Sequence, residues 1–318
     1  MTEPIAATSN TEPPVVGTSL GKDAWRRLRR NRLAIFGLLL LLVIVVAALA
    51  GPPIIAALTG YTYDYIPTDP ALIRAFAPFT APDGSWSWIH PMGTDIAGRD
   101  LLARVLLGGR ISLMVGVIST VVSLIIGTLY GAVAGYAGGR IDDAMMRIVD
   151  MLYAIPYMMV VIVLLALFGN RSPLGQLVLL FVALGSVSWL TMARIVRGQV
   201  ISLKNQEFVL AARATGVRPA LIVARHLIPN TVGPVIVYAT LTVPSVMLLE
   251  AFLSFLGLGV QAPLASWGSL AADGIQNIAV FPWQLICPGA TMAVTLFSLN
   301  FVGDGLRDAL DPQMRKQA

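Results

Sequence analysis

The sequence is short of the residues on which most soluble catalysts and metal proteins depend. Among 318 residues there is one cysteine, Cys287, and there are two histidines, His90 and His226. A single cysteine excludes an internal disulfide framework, and one thiol with two imidazoles leaves a structural zinc site short of ligands. Charge is scarce as well: 12% of the residues are Asp, Glu, Lys or Arg, about half the roughly 25% of soluble domains. With 56% hydrophobic residues and a mean hydropathy of +0.77, the chain reads as one whose solvent is lipid. The net charge of +5 is no sign of nucleic-acid binding, because the basic residues fall between apolar runs rather than forming a patch on a soluble domain.

What is present in quantity is long apolar sequence. Six stretches reach the roughly 20 residues that a helix needs to cross a bilayer. Leu33–Ala50 is apolar throughout, and Ile111–Ala137 carries hydroxyls but no charge. Met151–Gly169, Leu174–Ala193 and Phe281–Val302 are uncharged, and Val232–Val260 holds one charge, Glu250. The expected fold class is an all-α membrane protein with six transmembrane helices. The first run follows "WRRLRRNR" and ends "AALAG", as a cleavable secretory signal would. Its apolar part is longer than a usual signal core and about 32 residues precede it, so an uncleaved first span is expected.

Cytoplasmic loops are enriched in Lys and Arg. With the N-terminus inside, seventeen of the 22 basic residues fall in the N-terminal tail, residues 138–150, residues 194–229 and the C-terminal tail. Five fall outside: Arg74, Arg99, Arg104, Arg110 and Arg171. Both termini are therefore expected in the cytoplasm. Residues 1–21, rich in Thr, Pro and Ser, are expected to be disordered. Residues 22–110 hold a basic segment, the first span and an external loop in which Trp86 and Trp88 suit a membrane interface. Residues 111–303 hold the other five spans with a charged loop at 194–230, and 304–318 form a short tail.

Several smaller features need weighing. Ser123, Gly127, Gly131 and Gly135 recur every fourth residue, which puts them on one helix face and lets a second helix approach closely. Packing within the chain is the preferred reading over packing on a second subunit. Pro156 and Pro244 are expected to kink their spans. Glu250, the one ionisable residue deep in a span, is expected near the outer end as a bundle hydrogen-bonder or a pathway gate rather than a proton relay. Asp304 and Arg307, in "GDGLRDALDP", are expected to cap or pair just beyond the last span. The tail segment "VVGTSLGKD" is no nucleotide loop, since three residues rather than four separate its glycines and Asp23 follows Lys22. The chain is thus expected to have no ATP site of its own. "HPMGTDIAGRDLLARVLLGGRISL" falls short of a calcium loop and predicts a turn at Gly93–Asp95 leading into an amphipathic interface helix.

The segment Glu207–Asn230, "EFVLAARATGVRPALIVARHLIPN", is charged and yet lies between apolar spans. Phe208–Ala214 suits a helix that Gly216 can terminate in a left-handed conformation. Pro219 suits the start of a second helix and Pro229 its end. The expectation is two short helices meeting at Gly216, with Ala211, Ala212 and Ala214 giving a small-residue surface. Such a knob either docks into a partner's cleft or lies on anionic lipid, and the physics alone does not separate the two.

A resemblance does separate them. "AARATG" followed by "RHLIPN" resembles the EAA loop of ABC-importer permeases, whose pattern is Glu-Ala-Ala, three residues, Gly, nine residues and an apolar-x-Leu-Pro ending. Ala211, Ala212, Gly216 and Pro229 fall on it, while Leu210 stands where the pattern has Glu, with Glu207 one turn earlier and His226 and Ile228 near the end. "GTDIAGRDLLARVLLGGRISLMVG", "SWLTMARIVRGQ", "EAFLSFLGLGVQAPLASWGSL" and "NFVGDGLRDALDP" are similar to the C-type permease of bacterial peptide importers, closest to its oligopeptide member. The resemblance covers nearly everything from about residue 22 onward.

It implies a type I importer permease fold in the bacterial inner membrane, with a coupling helix between spans four and five. It implies a homologous B-type permease partner and two ATPase subunits that hold ATP and Mg2+. It also implies a periplasmic or lipid-anchored peptide-binding protein. The residues it assigns to ATPase coupling are Glu207, Phe208, Ala211, Ala212, Arg213, Gly216, Arg225 and Pro229. Dipeptide, nickel, glutathione or antimicrobial-peptide cargo would use the same architecture. A self-sufficient secondary transporter would need an ion site at mid-membrane, and a membrane enzyme a clustered nucleophile, base or metal set. The spans offer neither.

Overall fold

The computed structural model describes residues 20–169 and 172–310, entirely as helices and irregular connections among the described residues. Most of the tail expected to be disordered lies outside the described residues. Its last two positions do not fit that expectation, because helix α1, Leu20–Leu28, begins there.

Helix α2 spans Arg32–Thr59 and is capped by the Asn31 side chain, which accepts from the Ala34 amide at 3.2 Å. It runs through Pro52 and Pro53, beyond the expected end at Ala50, and closes at Gly60 with φ 77°. Prolines inside a membrane helix are tolerated where neighbouring groups make up the lost backbone bonds. Much of α2 is exposed aliphatic surface, including Leu39, Leu42, Val43 and Val46, as lipid contact requires. Its inner side meets the last helix, where a Cβ on Gly37 would come within 2.9 Å of the Ser298 carbonyl oxygen.

Helix α3, Leu101–Ala137, corrects the expectation of an interface helix. The segment after Gly93 is the beginning of the second span, not an amphipathic surface element. Asp95, Asp100, Arg104 and His90 are buried because they are paired: Arg104 donates to Asp95 at 2.5 Å, the half-buried Arg99 donates to Asp95 at 2.7 Å, and His90 sits 2.8 Å from Asp100. Asp100 also caps α3, accepting from the Ala103 amide at 2.7 Å.

The third span expected at Met151–Gly169 is not one continuous helix: the segment belongs to a bent pair, α4 (Gly139–Ala154) and α5 (Tyr157–Phe168), at 72° to each other. The bend follows from Pro156, which disfavours helical backbone at the residue before it; Ile155 is extended, at φ −82° and ψ 128°. Helix α6 covers Pro173–Leu203 and α7 covers Glu207–Ala214. Then come α8 (Pro219–Ile222), a π-helical turn (Val223–Leu227) and α9 (Ile228–Phe255), which run on as one 37-residue helix. Pro229 therefore does not end a short helix. It sits inside that continuous helix directly after the π turn, where the ladder has already shifted register, with the Ile228 amide bonded to the Val223 carbonyl. Pro244 likewise lies within an uninterrupted helix. After a loop come α10 (Trp267–Gln276), closed by a Ser266–Ser269 capping box, and α11 (Trp283–Leu310). Asp304 and Arg307 lie inside α11 rather than beyond it.

Among the described residues five helices are long and apolar enough to cross a membrane, and there are six if the bent pair is counted as one span. The α3–α6 contact organises the bundle. A Cβ on Gly127 would meet Met192 Cβ at 2.6 Å, one on Gly131 would strike the Ala193 carbonyl, and one on Gly135 would meet the Arg197 carbonyl at 2.8 Å. The small-residue stripe thus faces α6 of the same chain.

Candidate functional site

The two ends of the bundle differ in chemistry. One, here the basic end, carries the α3–α4 turn, the α6–α7 turn and the α7–α8 turn; the other carries residues 60–100 and α10. At the basic end α4 is tied to α6, since Arg197 donates twice to Asp142, at 2.6 and 2.7 Å, and Arg194 donates to Asp150 at 2.6 Å. Lys204 donates to the Gly135 carbonyl at 2.9 Å, which fixes the end of α6 on α3.

On this platform sits α7. Val209 and Ala212, three apart and so on one face, are buried in a cluster with Ala132, Val196, Val200, Ile222 and Leu227. The Arg213 guanidinium lies 5.0 Å from the Tyr136 ring centroid, a cation–π contact to α3. The helix closes at Gly216, φ 77°, with the Val217 amide donating to the Ala212 carbonyl at 3.1 Å. A Cβ there would meet nothing, so the glycine is needed for its backbone conformation rather than for space.

The opposite face of α7 is uncovered among the described residues. Glu207, Phe208, Leu210, Ala211 and Gly216 are exposed, as is Leu221 on α8. Phe208, Leu210 and Leu221 are 40%, 49% and 40% exposed, an apolar surface set among charged residues. The structure brings Glu207, Phe208, Ala211 and Gly216 to this free side and turns Ala212 inward as an anchor. Arg225 and Pro229 lie on the π turn and the first turn of α9, on the shaft rather than on the knob. The sequence reading missed the contributions of Leu221, Tyr136 and the Asp142–Arg197 pair. The i, i+3 spacing of Val209 and Ala212 was the available sign of which face turns in.

Glu250 is far from this site, in the last turns of α9, and is fully buried. Ser254 donates to it at 2.6 Å and Ser112 of α3 at 3.2 Å. Ser254 is in turn 3.2 Å from Ser266, the cap of α10, and the Trp267 amide donates to Ser112 at 3.2 Å. One carboxylate thus joins α3, α9 and α10.

Residues 127–316 match the family described as "Binding-protein-dependent transport system inner membrane component". Residues 19–86 match "N-terminal TM domain of oligopeptide transport permease C". The oligopeptide transport system permease protein OppC of Escherichia coli (strain K12) is 50% identical over 301 residues, 95% of this chain and 94% of that protein. OppC of Bacillus subtilis (strain 168) is 42% identical over 99% of this chain and 98% of its own length. The dipeptide transport system permease protein DppC of B. subtilis is 44% identical over 94% of this chain and 87% of its own. Among solved structures, a chain of the MetNI methionine ABC transporter, in inward-facing conformations, superposes with a TM-score of 0.51 at 19% identity. That match covers 65% of this chain and 96% of the other, and it shows a shared fold. A multi-span helical bundle matched over most of its length by one family belongs to it: the chain is a member of the binding-protein-dependent transport system inner membrane components.

Proposed function

We propose that this chain is the transmembrane permease subunit of an ATP-binding cassette importer that moves oligopeptides across the bacterial inner membrane. The observation that carries the proposal is α7: a short helix anchored by Val209, Ala212 and Arg213 whose other face, with Phe208 and Leu210, is bare. The identity to OppC proteins over nearly the whole chain supports the cargo class, and the DppC relative favours dipeptides as the second reading.

The partners are a homologous permease subunit, two ATPase subunits that bind ATP and Mg2+, and a binding protein that presents peptide on the far side. The lysine and arginine asymmetry supports cytoplasmic termini and a cytoplasmic α7. ATP binding draws the ATPases together and carries α7 with them. Because Ile222 and Leu227 pack with Val209 and belong to the helix that becomes span five, displacement at α7 passes directly into a membrane helix. ATP then biases a two-state arrangement of the spans through differential contacts at one loop. The chain carries no ATP site and performs no covalent chemistry.

The test is Gly216→Asp in the assembled importer. The expected outcome is normal membrane insertion with loss of ATP-dependent peptide uptake; uptake at the normal rate would overturn the coupling role.

A further inference from the structure

Between the α4–α5 bend, α6 and α9 lies an open cavity of about 300 Å3, at mid-length of α6 and α9 and beside Pro156. Its lining differs from that of the groove between α2 and α3. The groove between α2 and α3 is walled chiefly by aliphatic groups such as Leu41, Val45, Leu49 and Val117, a wall that lipid can fill. Here the wall is studded with hydroxyls, and among the described residues no Asp, Glu, Lys or Arg lines it.

Three of those hydroxyls are oriented by their own helices. Ser188 donates to the Leu184 carbonyl at 3.0 Å, Thr242 to the Tyr238 carbonyl at 2.8 Å, and Ser245 to the Leu241 carbonyl at 3.0 Å. Each spends its one proton there and keeps oxygen lone pairs free to accept. Ser245 is exposed, and Tyr153 and Tyr157 are each 44% exposed. Charge begins at the edge nearest the basic end. There the Tyr153 hydroxyl is hydrogen-bonded to Thr191, the Arg194 guanidinium lies 4.1 Å from the Tyr153 ring centroid, and Arg194 pairs with Asp150.

We propose that this groove is the chain's wall of the translocation path. Neutral acceptors hold the backbone N–H groups of an extended peptide, and the lack of charge leaves its side chains unselected. The Tyr153–Thr191–Arg194 contact, which bridges α4 and α6, closes its cytoplasmic end. The proposal rests on the importer reading above. A wall built this way suits a cargo class with a constant backbone and variable side chains, because a fixed charge in a low-dielectric path would sort peptides by their own charge.

The experiment uses the whole importer in proteoliposomes. Ser245→Cys, made in a Cys287→Ser background, is treated with a membrane-impermeant methanethiosulfonate, with Val43→Cys on the exposed face of α2 as comparator. Thiolate chemistry needs water, so the expected labelling at Ser245→Cys is on the order of tenfold faster, and a neutral tripeptide in excess slows it. In a second arm, Ser245→Asp is expected to lower uptake of an aspartate-bearing tripeptide by about tenfold relative to a lysine-bearing one. Wild type is expected to take up both alike. If Ser245→Cys is as unreactive as Val43→Cys, or assembled Ser245→Asp importer keeps the wild-type preference, the groove is not the path. Wild-type importer would still take up peptide in that case. Absence of ATP-dependent uptake by wild type would instead overturn the importer reading, and the groove with it.

Discussion

The two ends of the α8–α9 shaft are built on opposite rules. At the basic end its neighbour α7 is held by two buried side chains and one cation–π contact, and presents bare apolar groups. At the other end Glu250 is enclosed, with both carboxylate oxygens accepting from serines and two further elements drawn in through Ser112 and Ser266. A buried carboxylate has no tolerance for partial satisfaction, so that end specifies one arrangement of α3, α9 and α10. The loose end specifies little beyond the orientation of α7, which leaves its energy to be set by a partner. The shaft is seated at both ends, at the basic end through Ile222 and Leu227, so what is left for a partner to load is the outer face of α7, which presses on the shaft through that packing.

This contrast can be broken at its tight end first. Glu250→Ala removes the acceptor from two buried hydroxyls and leaves a void, and is expected to cost about 3 kcal/mol. The check is the thermal unfolding midpoint of the purified protein in detergent, and an unchanged midpoint would mean that the network is not what secures this end. Glu250→Gln keeps one acceptor oxygen and should cost about 1 kcal/mol. Next in size is the seam between the two ends. Gly131→Leu forces α3 away from the Ala193 carbonyl it now abuts, with an expected loss of roughly 2 kcal/mol from overpacking, measured in the same way. The smallest expected effect on stability is at the loose end. Arg213→Ala gives up an exposed cation–π contact worth about 0.5–1 kcal/mol and should barely move the midpoint. Its expected signature is instead a fall in peptide taken up per ATP hydrolysed, with Arg213→Lys intermediate. If Arg213→Ala destabilised the protein more than Glu250→Ala, the comparison would be inverted.

Much of this was legible in the residues. Uninterrupted apolar runs located the five long helices, and Gly216 marked its own left-handed turn. The errors were made where local signals are overridden by tertiary contacts. The charged segment before and into α3 reads as an interface helix, yet Asp95 pairs with both Arg99 and Arg104 and lets the second span begin there. Pro229 read as a stop, but it falls directly after a π turn, where the helix ladder has already shifted register. The free face of α7 could be read as a docking surface only through resemblance, because exposure depends on which residues the neighbouring helices bury. The hydroxyl-lined groove was not legible at all, since Tyr157, Thr191 and Ser245 come together from three helices.

The glycine seam has a mechanical consequence. Where carbonyls of one helix lie against the Cα atoms of another, neither can slide or roll without a collision. Helices α3 and α6 are therefore expected to hold together as one beam, with rearrangement falling to the joints around it: the 72° bend at Pro156, the Gly216 turn and the α9 shaft. An importer built from this chain would alternate by swinging those parts against a fixed spine, at no cost in repacking the spine itself.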